Sequence, residues 1–217
     1  MPDPVMGRAM RKSNLIPDVI NCDLPLDNRR APGYRRIEPR MVGNRFWQFI
    51  GQYETGRYSK AHAHGSAAVL ICLRGKGYTY TWPSGLGMCP FTDGKKEAVI
   101  RVDYEPVGLV SAAPMSGDWF HQHFGVDKDP LRIMAWFGPN NARADRPGRP
   151  GQAERDVGSI DIRDGGTAIP YDDEDPEIRQ EYEAALRVAG MASRMEDWRY
   201  RKPAEGEQRP NDDFMAF

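Results

Sequence analysis

The feature that most limits how this chain can fold is the placement of its histidines. All four lie in two short pairs, His62-Ala-His64 and His121-Gln-His123, in a chain of 217 residues. In an extended strand, side chains at positions i and i+2 project from the same face, so each pair can direct both rings into one cavity. The pattern therefore predicts two strands that face each other across a pocket rich in imidazole nitrogen.

Such a pocket is typical of a metal site. Neutral imidazole is the commonest protein ligand for zinc, copper, nickel and iron, and three or four nitrogens without thiolates or carboxylates favour those metals over magnesium and calcium. The alternative for a single histidine, or for one pair, is an ordinary surface or core position. Because two pairs hold the whole histidine complement, we predict that His62, His64, His121 and His123 surround one divalent transition metal.

The segments around the histidines have the composition of β-strands. Six of them are short, rich in aromatic and β-branched residues, and mostly bounded by Gly, Pro or Asp. They cover residues 45–53, 67–73, 78–82, 98–102, 119–124 and 131–137. Many short strands in succession are typical of a sandwich or barrel, so the predicted fold class is all-β.

Three regions can be distinguished along the chain. Residues 1–43 are rich in Pro, Arg and Asp and predict an N-terminal arm that lies on the domain or on a neighbour. Residues 44–138 contain the predicted strands. Residues 139–217 form a loop-rich C-terminal extension, whose first part has too many Gly, Pro, Asn, Asp and Arg residues to make a core of its own.

One helix is predicted in the extension, at about residues 176–189. Asp175 is a suitable N-cap, Pro176 suits the first turn and Gly190 suits the end. Apolar residues repeat every four positions and predict a stripe that packs on the domain: Ile178, Tyr182 and Leu186.

Composition excludes several classes of protein. A hydrophobic content of 40% with 28% charged residues is enough for one domain with extensions. The formal net charge of -1 gives no general attraction to nucleic acid or to an anionic membrane. No stretch approaches the ~20 apolar residues of a spanning helix, and residues 1–13 lack the apolar segment of a secretory signal, so we expect a cytoplasmic protein. Three cysteines without a C-x-x-C pair favour neither a disulfide framework nor a thiolate metal site.

Two segments resemble the motifs of the cupin superfamily. Gly56, five spacer residues, His62-Ala-His64 and Gly75 after the next strand are similar to the first cupin motif. A second set is similar to the second motif, namely Gly108, Pro114, Gly117 and His121. The resemblance covers about residues 44–138, and it is nearest to single-domain bacterial cupins with the segments found here at Lys60 to His64 and Trp119 to Phe124. It implies a double-stranded β-helix, or jelly-roll, barrel.

The chain departs from the cupin pattern at the metal site. Ala68 stands where the first motif normally has a glutamate ligand. In the second motif, two gaps are each one residue longer than usual, and Gly125 stands where asparagine is usual. Three-histidine iron sites occur in cupins such as the thiol dioxygenases and the acetylacetone-cleaving dioxygenase, so the loss of the glutamate does not imply loss of the metal.

The resemblance implies ligands and a class of reaction. His62, His64 and His121 match the histidine ligands, while His123 is either a fourth ligand or a group that orients a ligand or the substrate. Iron(II) is favoured, with manganese, nickel, copper and zinc as alternatives. An iron held by three histidines keeps open positions for a chelating substrate and dioxygen, which favours a non-haem dioxygenase. A metal-dependent lyase or isomerase, and a metal- or ligand-binding cupin without turnover, are the alternatives.

The substrate pocket and the assembly are predicted more loosely. Residues that could line the pocket are Gln48, Cys72, Tyr78, Tyr80, Trp119 and Trp136, and strand parity alone does not decide which of them face inward. No catalytic acid or base is identified. Cupin barrels often bury an apolar sheet face in a dimer, so we expect a homodimer in which the arm reaches across to the partner.

Overall fold

The computed structural model describes residues 10–12, 15–40, 46–64, 67–113, 119–139 and 157–207. Pro114 and Gly117 of the second motif lie outside these ranges. The described residues form one α-helix, α1 (Pro176–Val188), and nine strands. The strands are β1 (Met10–Lys12), β2 (Arg35–Arg40), β3 (Phe46–Gln52), β4 (Ala68–Arg74), β5 (Gly77–Pro83), β6 (Ile100–Tyr104), β7 (Leu109–Ala113), β8 (Trp119–Gly125) and β9 (Arg132–Pro139).

The strands form two sheets, as the all-β prediction requires. The larger sheet has the order β1-β2-β3-β9-β4-β7, and the smaller sheet has the order β6-β5-β8. Apart from the parallel pair β1 and β2, the strand pairs are antiparallel. The inner faces of the two sheets share one apolar core, so the sheets pack face to face. The all-β prediction is confirmed.

Three strands, β1, β2 and β7, lie where the sequence predicts none. β2 belongs to the predicted arm, yet it pairs with β3 through Ile37 and Ile50. The sequence of β2 does not indicate a strand, because Arg36 and Glu38 on one of its faces are charged. Both residues are nevertheless buried and form an ion pair, with 2.7 Å between Arg36 Nη2 and Glu38 Oε1. β7, a short and weakly apolar segment, pairs with β4 at the other end of the sheet.

The smaller sheet has apolar residues on both of its faces. Towards the larger sheet, Tyr104 joins the buried cluster of Ala68, Leu70, Ile133 and their neighbours. On the other face, a second cluster packs against the C-terminal extension: it includes Tyr58, Tyr78, Tyr80, Trp82, Phe120, Phe124, Ile178, Tyr182 and Leu186. The smaller sheet is therefore the middle layer between the barrel interior and the extension.

The helix of the extension begins and packs as predicted. The side chain of Asp175 accepts a hydrogen bond from the Glu177 N–H, Pro176 occupies the first turn, and Gly190 follows the end with a φ of 70°. The buried residues of α1 are the predicted stripe, Ile178, Tyr182 and Leu186. Asp175 also accepts hydrogen bonds from the Phe91 and Thr92 backbone, which joins the helix to the loop after β5.

Candidate metal centre

The two histidine pairs meet inside the barrel. His62, His64 and His121 each offer a ring nitrogen, and these three atoms lie within 4.8 Å of one another. The ring centroids of His62 and His121 are 4.2 Å apart, and those of His64 and His121 are 4.6 Å apart. His62 and His121 are buried and His64 is half-buried. No other group of three such residues in the described ranges has this geometry.

Backbone contacts fix the first pair against the second. His62 and His121 exchange two backbone hydrogen bonds of 3.0 Å, although His62 lies in an isolated bridge and not in a regular strand. The extension holds the same segment from the other side. The Ile169 N–H donates to the Ala61 carbonyl at 2.8 Å, and Thr167 Oγ1 donates to the Ala63 carbonyl at 2.6 Å. The histidine segment is thus clamped between β8 and the extension.

The ring nitrogens suit a metal ion. His62 Nδ1 is 3.1 Å from the Lys60 carbonyl oxygen, and a proton donated there leaves Nε2 for the cluster. His121 Nδ1 is buried and has no hydrogen-bond partner among the described residues. Burial, followed by nearby positive charge, lowers the pKa of both rings well below the ordinary value, so both are neutral and able to coordinate.

His123 has a different environment from the other three histidines. Its Nδ1 is 2.9 Å from the Tyr104 hydroxyl oxygen, and its ring centroid is 5.5 Å from that of His121. Burial, and then the charge of Arg30, lowers the pKa of His123 to about 3. It does not belong to the group of three nitrogens, but it faces the same cavity.

Two antiparallel sheets enclose a histidine cluster whose members stand at the histidine positions of both motifs. This arrangement resembles the barrel and the histidine site of the cupins. Ala68, at the position of the missing glutamate, is buried on the inner face of β4 opposite Phe137, whose ring centroid is 5.6 Å from that of His64. Among the described residues, the group of nitrogens at this site includes no carboxylate.

Solved structures that are similar to this chain are distant. A cupin 2 conserved barrel domain protein from Rhodopseudomonas palustris is 15% identical over 54% of this chain and 65% of that chain, with a TM-score of 0.37. A cupin-2 domain protein from Rhodospirillum rubrum is 19% identical over 48% and 58%, with a TM-score of 0.35. Oxalate decarboxylase from Bacillus subtilis is 14% identical over 53% and 27%, with a TM-score of 0.39. The chain spans less than two thirds of each of these proteins. No protein-family model matches the sequence, and no curated protein sequence matches it.

The predicted pocket residues divide between the faces of the sheets. Trp119 has the same parity in β8 as His121, and Cys72 lies in the inner core with Ala68. Tyr78 and Tyr80 do not line the site, because they lie on the other face of β5 and pack against the extension. Trp136 is 38% exposed on the outside of the larger sheet. Gln48 pairs with Trp136 in register and shares its face, so the structure does not bring it to the histidines.

Other residues near the cluster have no signal in the sequence that marks them. Thr79 and Thr81 pair with His123 and His121 in register, and their small side chains share the inner face of β5 with the rings of β8. Tyr104, two residues beyond a predicted strand, holds His123. Arg30 reaches the cluster from the predicted arm. The inward orientation of the threonines could have been predicted only from strand parity, once a neighbouring residue was known to face inward.

The described part of the chain contains no helix that is long and apolar enough to cross a membrane.

Proposed function

We propose that this chain is a metal-dependent enzyme of the cupin superfamily, and specifically a non-haem iron(II) dioxygenase that acts on a small chelating organic substrate. The observation that carries the proposal is the cluster of His62, His64 and His121, which has no carboxylate from the described residues among its potential ligands. Three neutral ligands leave the full charge of a divalent ion to be balanced by the substrate. They also leave open positions for both a chelating molecule and dioxygen.

The residues around the cluster support this chemistry. A bound iron supplies a Lewis acid that can hold substrate and dioxygen side by side. Phe137, against the His64 ring, and the buried core beyond Ala68 exclude water from this side of the site. His123, held by the Tyr104 hydroxyl, orients the substrate or a ligand.

Oxygen uptake tests the proposal. Protein loaded with iron(II) under anaerobic conditions is mixed with a panel of diketones, catechols and thiols, and consumption of dioxygen is followed with an electrode. The proposal predicts uptake with at least one substrate and incorporation of ¹⁸O from labelled dioxygen into the product. A variant with both His62→Ala and His64→Ala is the control, and should be inactive.

The other outcomes identify the alternatives. Conversion of substrate without oxygen uptake would replace the dioxygenase by a metal-dependent lyase or isomerase. Binding of the chelators without conversion would leave a metal- or ligand-binding cupin.

We also propose that the protein is a cytoplasmic homodimer. The outer face of the larger sheet exposes apolar side chains, with Val69 45%, Leu109 69% and Trp136 38% exposed. Burial of this face against a second copy would remove it from water. Sedimentation of the purified protein at micromolar concentration measures the mass directly, and a monomer would contradict the dimer.

A further inference from the structure

Two arginines lie side by side at one end of the larger sheet. Arg74, at the end of β4, pairs in register with Arg132, at the start of β9, and Arg132 pairs with Gln52 of β3. Along β4, Arg74 follows Ala68 by six residues, which is about 20 Å in an extended strand. The row of three side chains is therefore at the opposite end of the sheet from the histidine cluster.

A turn of the predicted arm, residues 18–22, contacts both arginines. Arg132 Nη2 donates to the Cys22 carbonyl oxygen at 2.5 Å and lies 3.2 Å from Cys22 Sγ. Arg74 Nη1 donates to Asn21 Oδ1 at 3.3 Å. The two guanidiniums also share the Gln52 amide oxygen, at 3.2 Å from Arg74 Nη2 and 3.4 Å from Arg132 Nη1. Both guanidiniums thus contact amide and carbonyl oxygens and a cysteine sulfur.

The described residues do not balance the charge of this pair. Neither guanidinium has a carboxylate partner among them, and the carboxylate of Asp18 accepts hydrogen bonds from its own turn. With about five N–H donors on each guanidinium, the five contacts use about half of the donors, and both Nε atoms are buried without a partner. Burial lowers the pKa of Arg132, and the charge of Arg74 lowers it further. Two cations held together in this way attract an anion.

We propose that Arg74 and Arg132 bind one small oxyanion of the phosphate class, which ties the arm to the end of the larger sheet. Guanidiniums match phosphate oxygens with paired, charge-assisted hydrogen bonds. A tetrahedral oxyanion has enough oxygens to accept from both guanidiniums at once, whereas a carboxylate has only two. The anion approaches from the side of Arg74, because Arg74 and Cys22 are half-buried and Asn21 is exposed.

Alkylation of Cys22, beside Arg132, reports on the site directly. Cys89 is a matched control in the same chain, because it is also half-buried but experiences the negative charges of Asp175 and Asp93. The two reagents are iodoacetate, an anion, and iodoacetamide, its neutral analogue. We expect the ratio of their rates to be about five-fold or more higher at Cys22 than at Cys89, because a positive site concentrates the anion. Peptide mapping of the full chain by mass spectrometry measures both cysteines in one sample.

Phosphate should remove this preference by occupying the site. Millimolar inorganic phosphate, compared with sodium chloride of equal ionic strength, should lower the ratio at Cys22 about three-fold or more and leave the ratio at Cys89 unchanged. Acetate should have little effect. Phenyl phosphate distinguishes two sources of the same chemistry. A fall in the ratio with inorganic phosphate alone would identify the free ion as the ligand, and a fall with both would show that the site also takes a phosphate ester.

Variants locate the effect. Arg74→Gln should abolish both the preference at Cys22 and its response to phosphate, and Arg74→Met should do the same and replaces that variant should it not fold. Arg101→Gln removes an exposed arginine that pairs with Asp103, and should keep both.

The double variant His62→Ala, His64→Ala should also keep the preference and the response, because the site is remote from the histidine cluster. Loss of the response in that variant would place the anion at the cluster and overturn the proposal. Equal ratios at the two cysteines, no response to phosphate, an equal response to acetate, or persistence of the response in the Arg74 variants would overturn it as well.

Discussion

The inner and outer faces of the smaller sheet are made from the same strands but serve different purposes. On the inside, β8 presents His121 and His123 beside the small residues Thr81 and Thr79 of β5. On the outside, the alternating residues of β8 pack or bond against the extension. Phe124 stacks on Tyr78 with centroids 4.7 Å apart, and Gln122 donates to Glu174 Oε1 at 2.5 Å.

The two faces of β8 therefore contribute to different properties, the inner face to metal binding and the outer face to stability. The inner face holds His121, which belongs to the group of three nitrogens, and His123, which contacts Tyr104, and the outer face holds aromatic rings that fill a core with the extension. Substitutions on the inner face should therefore alter metal and substrate binding, and substitutions on the outer face should alter the free energy of unfolding. The predictions that follow test this division.

The largest effect is expected from the inner face. The double variant His62→Ala, His64→Ala removes two of the three clustered nitrogens. We expect it to retain less than about a tenth of the metal bound by the wild type, because the remaining site has too few ligands. His123→Ala should keep most of the metal. Elemental analysis of protein purified without chelator measures both, and full occupancy in the double variant would refute the site.

A large effect of another kind is expected from the outer face. Tyr182 is buried in α1, where its ring contacts Tyr58 and Phe124, and its hydroxyl donates to the Gly125 carbonyl at 3.1 Å. Tyr182→Ala should lower the free energy of unfolding by about 3–5 kcal/mol without changing metal affinity. Val188→Ala, at a position 91% exposed on the same helix, should change it by less than about 0.5 kcal/mol. Urea unfolding measures the free energy of unfolding of both variants. Equal changes in the two would contradict the packing of Tyr182 in the core.

A smaller effect on the outer face depends on pH. The Glu174 carboxylate accepts hydrogen bonds from Tyr58 Oη and Gln122 Nε2, both at 2.5 Å. Burial, partly opposed by those bonds, raises the pKa of Glu174 from 4.5 to about 8. The folded protein therefore keeps a proton that the unfolded chain releases above pH 4.5. The contribution of this group to stability is complete below pH 4.5 and is lost as the pH rises through 8.

The inner histidines titrate with the opposite sign. Burial lowers the pKa of His62, His121 and His123, so their contribution is lost as the pH falls below 6.5. Between pH 6.5 and 8 we expect the free energy of unfolding of metal-free wild-type protein to fall by about 1.5 kcal/mol relative to Glu174→Gln, whose amide group does not titrate. Urea unfolding at the two pH values checks this, and parallel changes in the two proteins would contradict it.

The smallest effects compare a tyrosine from each face. The Tyr78 hydroxyl on the outer side is buried without a partner among the described residues, so Tyr78→Phe should leave the protein as stable as the wild type or about 1 kcal/mol more stable. Tyr104→Phe removes the hydroxyl that holds His123, and should weaken binding of chelating catechols to the metal-loaded protein. Loss of ligand affinity in Tyr78→Phe and none in Tyr104→Phe would reverse the assignment of the faces.

The sequence was sufficient to predict the histidine cluster because parity is a local property. His121 and His123 must share a face in any strand, and the pair His62 and His64 restricts which segment lies opposite them. Parity does not say which face is the inside. Tyr78 and Tyr80 alternate as regularly as Thr79 and Thr81, and the aromatic residues face outward only because the extension supplies a second core. That core depends on residues about a hundred positions away.

Other parts of the structure could not be predicted from the sequence, because they depend on charged residues. β2 has Arg36 and Glu38 where an apolar alternation would mark a strand, and their mutual ion pair makes the burial tolerable. Arg30 lies near the cluster because its carbonyl oxygen accepts a hydrogen bond from the Lys60 N–H and its guanidinium packs closely against Gly158. Neither contact leaves a periodic pattern in the sequence, so neither could be predicted before the chain was folded.

X-ray absorption at the metal edge tests the central claim most directly. The protein is loaded with one equivalent of iron(II) without oxygen, or with zinc(II), and the atoms around the metal are counted from the spectrum. We predict one metal per chain with three imidazole ligands, the remaining ligands being water or buffer oxygen and none being sulfur. A protein that binds no metal, or a metal whose ligands include a cysteine sulfur or fewer than two imidazoles, would contradict it.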